Sequence, residues 1–307
     1  MKTPILPSTV EQQIEKLKSQ GLIINNESKT AEQLSIYGYS NLIKPYREPY
    51  SFINGTSQLE YRTGVTFEQV CSLYLFDKNL RTAIIAIMLD LEEHVKASAA
   101  AILAEAFGTK SDDYLEYRKF RNKRKKKLHF TLSHILQTLN NTKLSEKDPI
   151  HHCMASHGDV PPWTLFKGVY FSTVVNFIDQ FKAPEQLELY SRLFGDSLNL
   201  LADQQKIFFM MDSLFVCTEY RNLAAHGARI YNHDSSGNFR WNEIVGPKQT
   251  PCPEGLSLLL YILHKFRYAT PYNTMVKSLF EEWQRHCDAY PSDVTYLANT
   301  LRINIPK

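Results

Sequence analysis

The chain has 307 residues, of which 43% are hydrophobic, 12% aromatic and 22% charged, with a net charge of +3. This composition excludes collagen-like, low-complexity and intrinsically disordered chains and fits a soluble globular protein long enough to bury a large core. Five scattered cysteines without a CxxC pair predict a reduced, cytoplasmic protein, and no apolar window approaches the length of a membrane span or a signal peptide.

The punctuation along the chain is helical. Ser8-x-x-Glu11 reads as a capping box before Val10, Ile14 and Leu17, with a stop at Gly21. Thr30-x-x-Gln33 repeats the signal, and Tyr37 to Tyr50, with Pro45 and Pro49, reads as a short helix and loops. Thr66-x-x-Gln69 opens the longest stretch free of Gly and Pro, which runs to Phe107 with Gly108 as its stop. Leu73, Phe76, Leu80, Ile84, Ile87, Leu91 and Val95 keep helical spacing, so one long helix or two abutting ones are predicted, with Glu92 and Lys96 paired one turn apart.

A further helix is predicted over 113–139, basic in its first half and amphipathic in its second through Phe130, Leu132, Ile135 and Leu139. Asn140 to Val160 reads as a polar segment. Helices are then predicted over 163–181, 184–194 and 198–226. His233 to Pro253 holds Gly237, Gly246, Pro247, Pro251 and Pro253 and reads as a loop with a small hairpin over 239–244. Two or three helices, broken by Pro271 and Pro291, follow. The expectation is an all-α protein: an N-terminal helical segment (1–60), a helical core (61–232) and a loop with C-terminal helices (233–307).

The sharpest candidate for chemistry is Arg221-Asn222-Leu223-Ala224-Ala225-His226, at the end of an apolar helix stopped by Gly227. Asn222 and His226 are four apart and share a face; Arg221 lies about 140° from His226 around an ideal helix and reaches their cleft only by leaning. An arginine that holds a phosphate and a histidine that moves protons suit phosphodiester cleavage. Such a spacing is expected about once by chance, and Arg124 with His129 is a second occurrence; the bland alternative is a surface ion pair and a capping histidine.

The second candidate is the run Arg118, Lys119, Arg121, Lys123, Arg124, Lys125, Lys126 and Lys127, nearly without compensating acids. Like charges at this density favour a polyanion, so contact with RNA phosphates is expected. His151, His152, Cys153 and His157 fit no metal-ligand spacing and read as a polar loop, so neither a metal nor a cofactor is expected. Trp163, Phe166, Val169 and Tyr170 read as core, as do Phe208 to Met211 and Phe215. The latter set also offers the motif helix an apolar surplus that a second copy would cover.

The segment from Tyr220 to Asn232 resembles the RN-x3-H-x2-R-x-(W/Y)-N signature of the Abi-like abortive-infection family, of the AbiD and AbiF type, within the HEPN superfamily of ribonucleases. Further segments are similar to that family in order: Glu11 to Leu22 and Leu34 to Pro45, Phe76 to Arg81, Leu91 to Lys96, and Pro162-Trp163 with Phe171-Ser172. Lys96 stands where the family has Arg, and Tyr231 where it often has Trp.

The resemblance implies a HEPN-type helical bundle and a metal-independent endoribonuclease effector of bacterial phage defence. Arg221, Asn222 and His226 would form its site, with Arg229 as a further RNA contact. It implies a homodimer with both motifs at the interface and a structured non-coding RNA as regulator. The rival readings are an RNA-binding protein that does not cut and a helical interaction scaffold. RNA binding without cleavage selects the first, and no RNA affinity the second.

Overall fold

In the computed structural model, which describes residues 7–246 and 251–303, the protein is all-α apart from one short hairpin. The expectations for Met1 to Leu6 and for Pro247 lie outside the described residues. Helix α1 (Val10–Ser19) is capped by Thr9 in a reciprocal box with Gln12, one residue later than the sequence signal, and Gly21 at φ +84° ends it. Helix α2 (Glu27–Tyr37) starts at an Asn26 cap, so Thr30 is not a cap but a buried residue in its first turns. After α3 (Tyr39–Leu42), strands β1 (Ser51–Ile53) and β2 (Leu59–Tyr61) pair antiparallel, Phe52 opposite Glu60. This hairpin is not among the predicted elements. Its signal is Asn54-Gly55, and Asn54 Oδ1 accepts from the Thr56 and Gln58 amides.

Helix α4 (Phe67–Phe107) is a single helix, capped by Thr66 and stopped at Gly108 as its punctuation predicts. Its 41 residues span about 60 Å at 1.5 Å per residue. Other helices pack on several of its sides, which explains why its apolar residues are not confined to one stripe.

The helix predicted over 113–139 does not form as such. The structure has α5 (Ser111–Tyr114), two single 3₁₀ turns and α6 (Leu132–Lys143); Arg118 and Lys119 lie in the first turn, and the rest of the basic run is irregular chain between the two. Eight like charges repel along a helix, and two tertiary contacts favour the irregular form. Phe120 is buried, 4.7 Å from the Phe177 ring and 5.9 Å from that of Phe181. The Arg121 and Lys123 amides donate to the backbone carbonyl and side-chain Oε1 of Gln180. The amphipathic second half is present in α6, where Leu132, Ile135 and Leu139 are buried.

The predicted polar segment contains α7 (Ile150–His157), which carries His151, His152, Cys153 and His157 on a helix and not a loop. The helix predicted over 163–181 is broken into α8 (Pro162–Leu165), a 3₁₀ turn and α9 (Phe171–Ile178). At Gly168 an added Cβ would lie 2.4 Å from Ile150 Cδ1, so the break is also a close approach. Phe166 and Val169 are core as expected, but Trp163 and Tyr170 are 51% and 80% exposed. Helix α10 (Ala183–Phe194) follows as predicted, and α11 (Asp203–Ala225) ends where expected but begins five residues later than the predicted 198, after a turn. The hairpin expected over 239–244 is instead helix α12 (Trp241–Val245) after a 3₁₀ turn. Helices α13 (Gly255–Lys265), α14 (Thr270–Ala289) and α15 (Val294–Leu301) close the fold, with α14 lying along α4.

Asp293 ties this last layer to the start of α4. It accepts from Tyr50 OH (2.6 Å), Gln69 Nε2 (2.9 Å) and His286 Nε2 (3.0 Å). A carboxylate only accepts, so Nε2 of the fully buried His286 donates to Asp293, and its Nδ1 lies 2.9 Å from Ser72 Oγ. Burial works to raise the Asp293 carboxyl, but the bonds from His286, Tyr50 and Gln69 outweigh it and hold the carboxyl below the ordinary range. A group more acidic in the folded state contributes stability that is full above its unfolded value of about 3.9 and is lost as pH falls through the folded value. Denaturant midpoints are therefore expected to fall below roughly pH 4, and less steeply in Asp293→Asn. Equal acid slopes for both proteins would remove Asp293 from the account.

Candidate functional site

The motif helix α11 is held from several sides. Phe209, Met210, Met211, Leu214, Cys217 and Tyr220 are buried against its neighbours α4, α9 and α10. Of the apolar surplus expected for a dimer face, Phe209, Met210 and Met211 are therefore core. Phe208 is covered by the Arg240 guanidinium 3.9 Å above its ring, and Phe215 lies 5.6 Å beneath Lys125 Nζ.

The helix stops at His226. The Ala228 amide donates to Leu223 O and the Gly227 amide to Ala224 O, with Gly227 at φ +70°. This double bond pattern closes the last turn and needs a left-handed residue where the glycine stands.

The segment after the stop is fixed by α4. Asp77 Oδ1 accepts from the amides of Ile230 (2.9 Å) and Tyr231 (2.8 Å), and its Oδ2 accepts from Tyr46 OH (2.5 Å) and from Arg81 Nη1. Tyr231 is fully buried and stacks on Tyr46 at 6.0 Å. Arg229, expected on RNA, donates to Pro45 O at 2.7 Å and lies 3.5 Å from Glu48. Sequence reasoning does not single out Asp77 as a latch; its placement four residues before Arg81 on an apolar helix is the signal that points to it.

A cleft of about 670 Å³ opens along the exposed flank of α11. Asn222 and His226 line it, as do Lys125, Lys126 and Lys127, with Phe130 and Phe215 among its apolar walls. The chain thus brings two separately predicted groups to one concavity. The side chains of Asn222 and His226 have no hydrogen-bond partner among the described residues, and His226 is exposed.

The carboxylates of the cleft are already engaged. Asp212 is held in a fork by Arg240, closest at 2.6 Å. Glu219 faces His233 Nε2 at 3.0 Å, and the hydrogen bond from His233 holds its carboxyl below the ordinary value despite its partial burial. The basic run is less free than its sequence suggests. Asp179, buried at the end of α9, pairs with Lys123 at 3.0 Å and with Lys125. Arg121 donates to Gln186, and Lys119 to Asp113 O. Arg118, Arg124, Lys126 and Lys127 have no side-chain partner among the described residues. The unneutralised charge on the cleft is therefore positive and sits on Lys126 and Lys127.

Arg221 is not among the residues lining that cleft. It turns toward α4, where its Nε lies 3.9 Å from Glu92 Oε2, and neither buried atom has a hydrogen-bond partner. Glu92 Oε1 is paired with Lys96 at 2.6 Å, the pairing one turn apart that the sequence predicts. Five residues of helix separate Arg221 and His226 by too large an angle for one narrow cleft, and Glu92 supplies the alternative partner.

On α7, His152, Cys153 and His157 line a separate cleft with Trp163, and among the described residues no group of three or more His, Cys, Asp or Glu could hold a metal ion. Among the described residues no helix is long and apolar enough to cross a membrane. Comparison with known protein families matches residues 32–232 to the family described as Abi-like protein. No curated protein and no solved structure matches the chain.

Proposed function

Because the chain belongs to the Abi-like protein family, which covers its α2-to-Asn232 region, we propose that it is a ribonuclease effector of phage defence, acting without a metal. The observation that carries this reading is the cleft in which the unpartnered Asn222 and His226 meet the unpaired Lys126 and Lys127. The cations would hold phosphates of a strand laid along α11, and His226 would stand at the one beside the helix end.

The chemistry is the strand's own. The 2′-oxygen attacks the adjacent phosphorus while a base takes its proton, a 2′,3′-cyclic phosphate forms, the P–O5′ bond breaks, and an acid protonates the leaving 5′-oxygen. His226 supplies one of these transfers. Asn222, on the same face, would orient the imidazole or a phosphate oxygen. Arg221 would stabilise charge on the phosphorane-like transition state, and a second copy of the chain would supply both the missing arginine and the second histidine. A toxic ribonuclease needs restraint, and a structured RNA held in the same basic cleft would provide it.

Purified protein incubated with cellular RNA in EDTA is expected to cut it, leaving 2′,3′-cyclic phosphate ends; a requirement for divalent metal, or 3′-hydroxyl ends, would refute the mechanism. The composite site has its own test. Mixing Arg221→Ala with His226→Ala protein is expected to restore part of the activity, while a fully active species that stays monomeric by light scattering would exclude the second copy. The turn of Arg221 onto Glu92, away from the cleft, favours one other reading, an RNA-binding protein that does not cut. Binding of RNA with no cleavage under any of these conditions would select it.

A further inference from the structure

His226 lines two clefts. The second, of about 550 Å³, lies on the other side of the helix end and shares His226 and Ala228 with the first. Its further walls include Asn41, Lys44, Tyr74, Arg81, Gly227 and Arg229. The first cleft has two carboxylates among its lining residues; the second has none.

The cations of the second cleft are held in different ways. Lys44 is exposed and has no partner among the described residues. Arg229 is anchored through Pro45 O, with Glu48 at 3.5 Å as its only nearby acid among the described residues. Arg81 is 9% exposed, and its Nη1 is engaged by Asp77, Tyr46 OH and, at 3.4 Å, Ala228 O. Its guanidinium lies 5.8 Å from the centre of the Tyr74 ring, and its Nε and Nη2 have no hydrogen-bond partner among the described residues. A fixed arginine, an anchored arginine and an exposed, unpaired lysine around a concavity without acids suit the oxygens of a phosphodiester.

We propose that this second cleft is a phosphate subsite for the RNA strand on the far side of His226, with Lys44 and Arg229 at its mouth and Arg81 as its floor. The proposal rests on the ribonuclease reading, which puts the scissile phosphate at His226. A strand that runs past Lys126 and Lys127 and over His226 continues into this concavity, because Gly227 and Ala228 turn the protein backbone beneath it. The two clefts then grip the strand on either side of the bond to be broken, which is what holds a flexible backbone in line for attack.

The test uses the full chain and a 2′-O-methyl oligouridylate of about 12 nucleotides, enough to cover both clefts. The methyl ether removes the attacking hydroxyl, so binding is measured without cleavage. Lys44→Gln is expected to weaken binding several-fold and to make the log–log salt slope shallower by about 0.7, the value for one fewer phosphate neutralised on a single strand. Lys126→Gln/Lys127→Gln is expected to weaken binding from the other side, with a slope shallower by up to about 1.4 for two phosphates, and the three changes together to add. Lys277→Gln, on α14 and outside both clefts, is expected to change neither quantity. Unaltered affinity and slope for Lys44→Gln beside a weakened Lys126→Gln/Lys127→Gln would overturn the subsite and leave the ribonuclease reading standing. A loss in Lys277→Gln equal to that in Lys44→Gln would also overturn it, since the effect would then be one of overall charge. Failure of the unmodified protein to bind the oligonucleotide would overturn both.

Discussion

His226→Ala is expected to lower RNA cleavage by about 10²–10⁴-fold, the usual worth of one positioned proton-transfer group, and to abolish toxicity to the host cell while leaving the fold intact. The imidazole is exposed at the last turn of α11 and has no partner among the described residues, so its removal costs the core nothing. The stop of the helix does not need the side chain either, because the Leu223 and Ala224 carbonyls are satisfied by backbone amides. A thermal midpoint within a degree or two of the parent would accompany the loss. RNA affinity is expected to change much less than cleavage, since the proposed phosphate contacts, Lys126 and Lys127, lie elsewhere on the cleft. Arg221→Ala is the companion experiment, with loss of cleavage by a different route. If the guanidinium acts in the site of a second copy, its variant and the His226 variant complement one another. Cleavage by His226→Ala at the parental rate would end the case for this residue as a proton carrier.

Asp77→Ala is expected to be the most damaging single substitution for stability, at about 3–5 kcal/mol, the usual cost of removing one partner from a buried charge pair. Four donors converge on the fully buried carboxylate: Tyr46 OH, Arg81 and the amides of Ile230 and Tyr231. Its removal leaves the Arg81 guanidinium uncompensated and two buried amides without acceptors. Those amides belong to the segment that follows Gly227, so both clefts would lose their shared edge along with the stability. Asp77→Asn keeps the volume and one acceptor oxygen and is expected to lie between the parent and Asp77→Ala. Adding Arg81→Met to Asp77→Asn is expected to recover part of the loss, because no buried charge then remains unpaired. Chemical denaturation measures all three, and a loss under about 1 kcal/mol in Asp77→Ala would show that the latch is dispensable.

What is legible in the sequence is what local chemistry decides. The Thr66 cap and the Gly108 stop bracket a run with no Gly or Pro, and α4 forms across all of it. Gly227 ends α11 one residue past His226 for the same reason, since only the chain direction and a left-handed residue are needed. The all-α class and the Glu92–Lys96 pair follow from spacing alone. The Asn54-Gly55 turn is equally local, but its signal is masked by the tyrosines and prolines around it.

The rest is tertiary. The 118–127 run carries helix-forming residues, yet after the 3₁₀ turn that ends at Lys119 it forms no helix, because Phe120 packs against the Phe177 and Phe181 rings and Asp179 draws Lys123 and Lys125 to the end of α9. No spacing rule shows that Asp179 is within reach of residues more than fifty positions earlier. Trp163 and Tyr170 have core spacing on paper and stand in solvent, since the single helix that would have turned both inward is interrupted by the 3₁₀ turn Phe166–Gly168 and an extended Val169. The candidate site divides in the same way. Asn222 and His226 share a face because they are four residues apart on one helix. That Lys126 and Lys127 join them, that Arg221 turns to Glu92 instead, and that Asp77 sets the edge of both clefts are consequences of which helices pack on α4. The sequence determines the turns of the helices, their ends and their apolar faces, because each depends on residues a few positions apart. Which charges meet and which stay free depends on groups brought together from distant parts of the chain, and only the packed structure decides it.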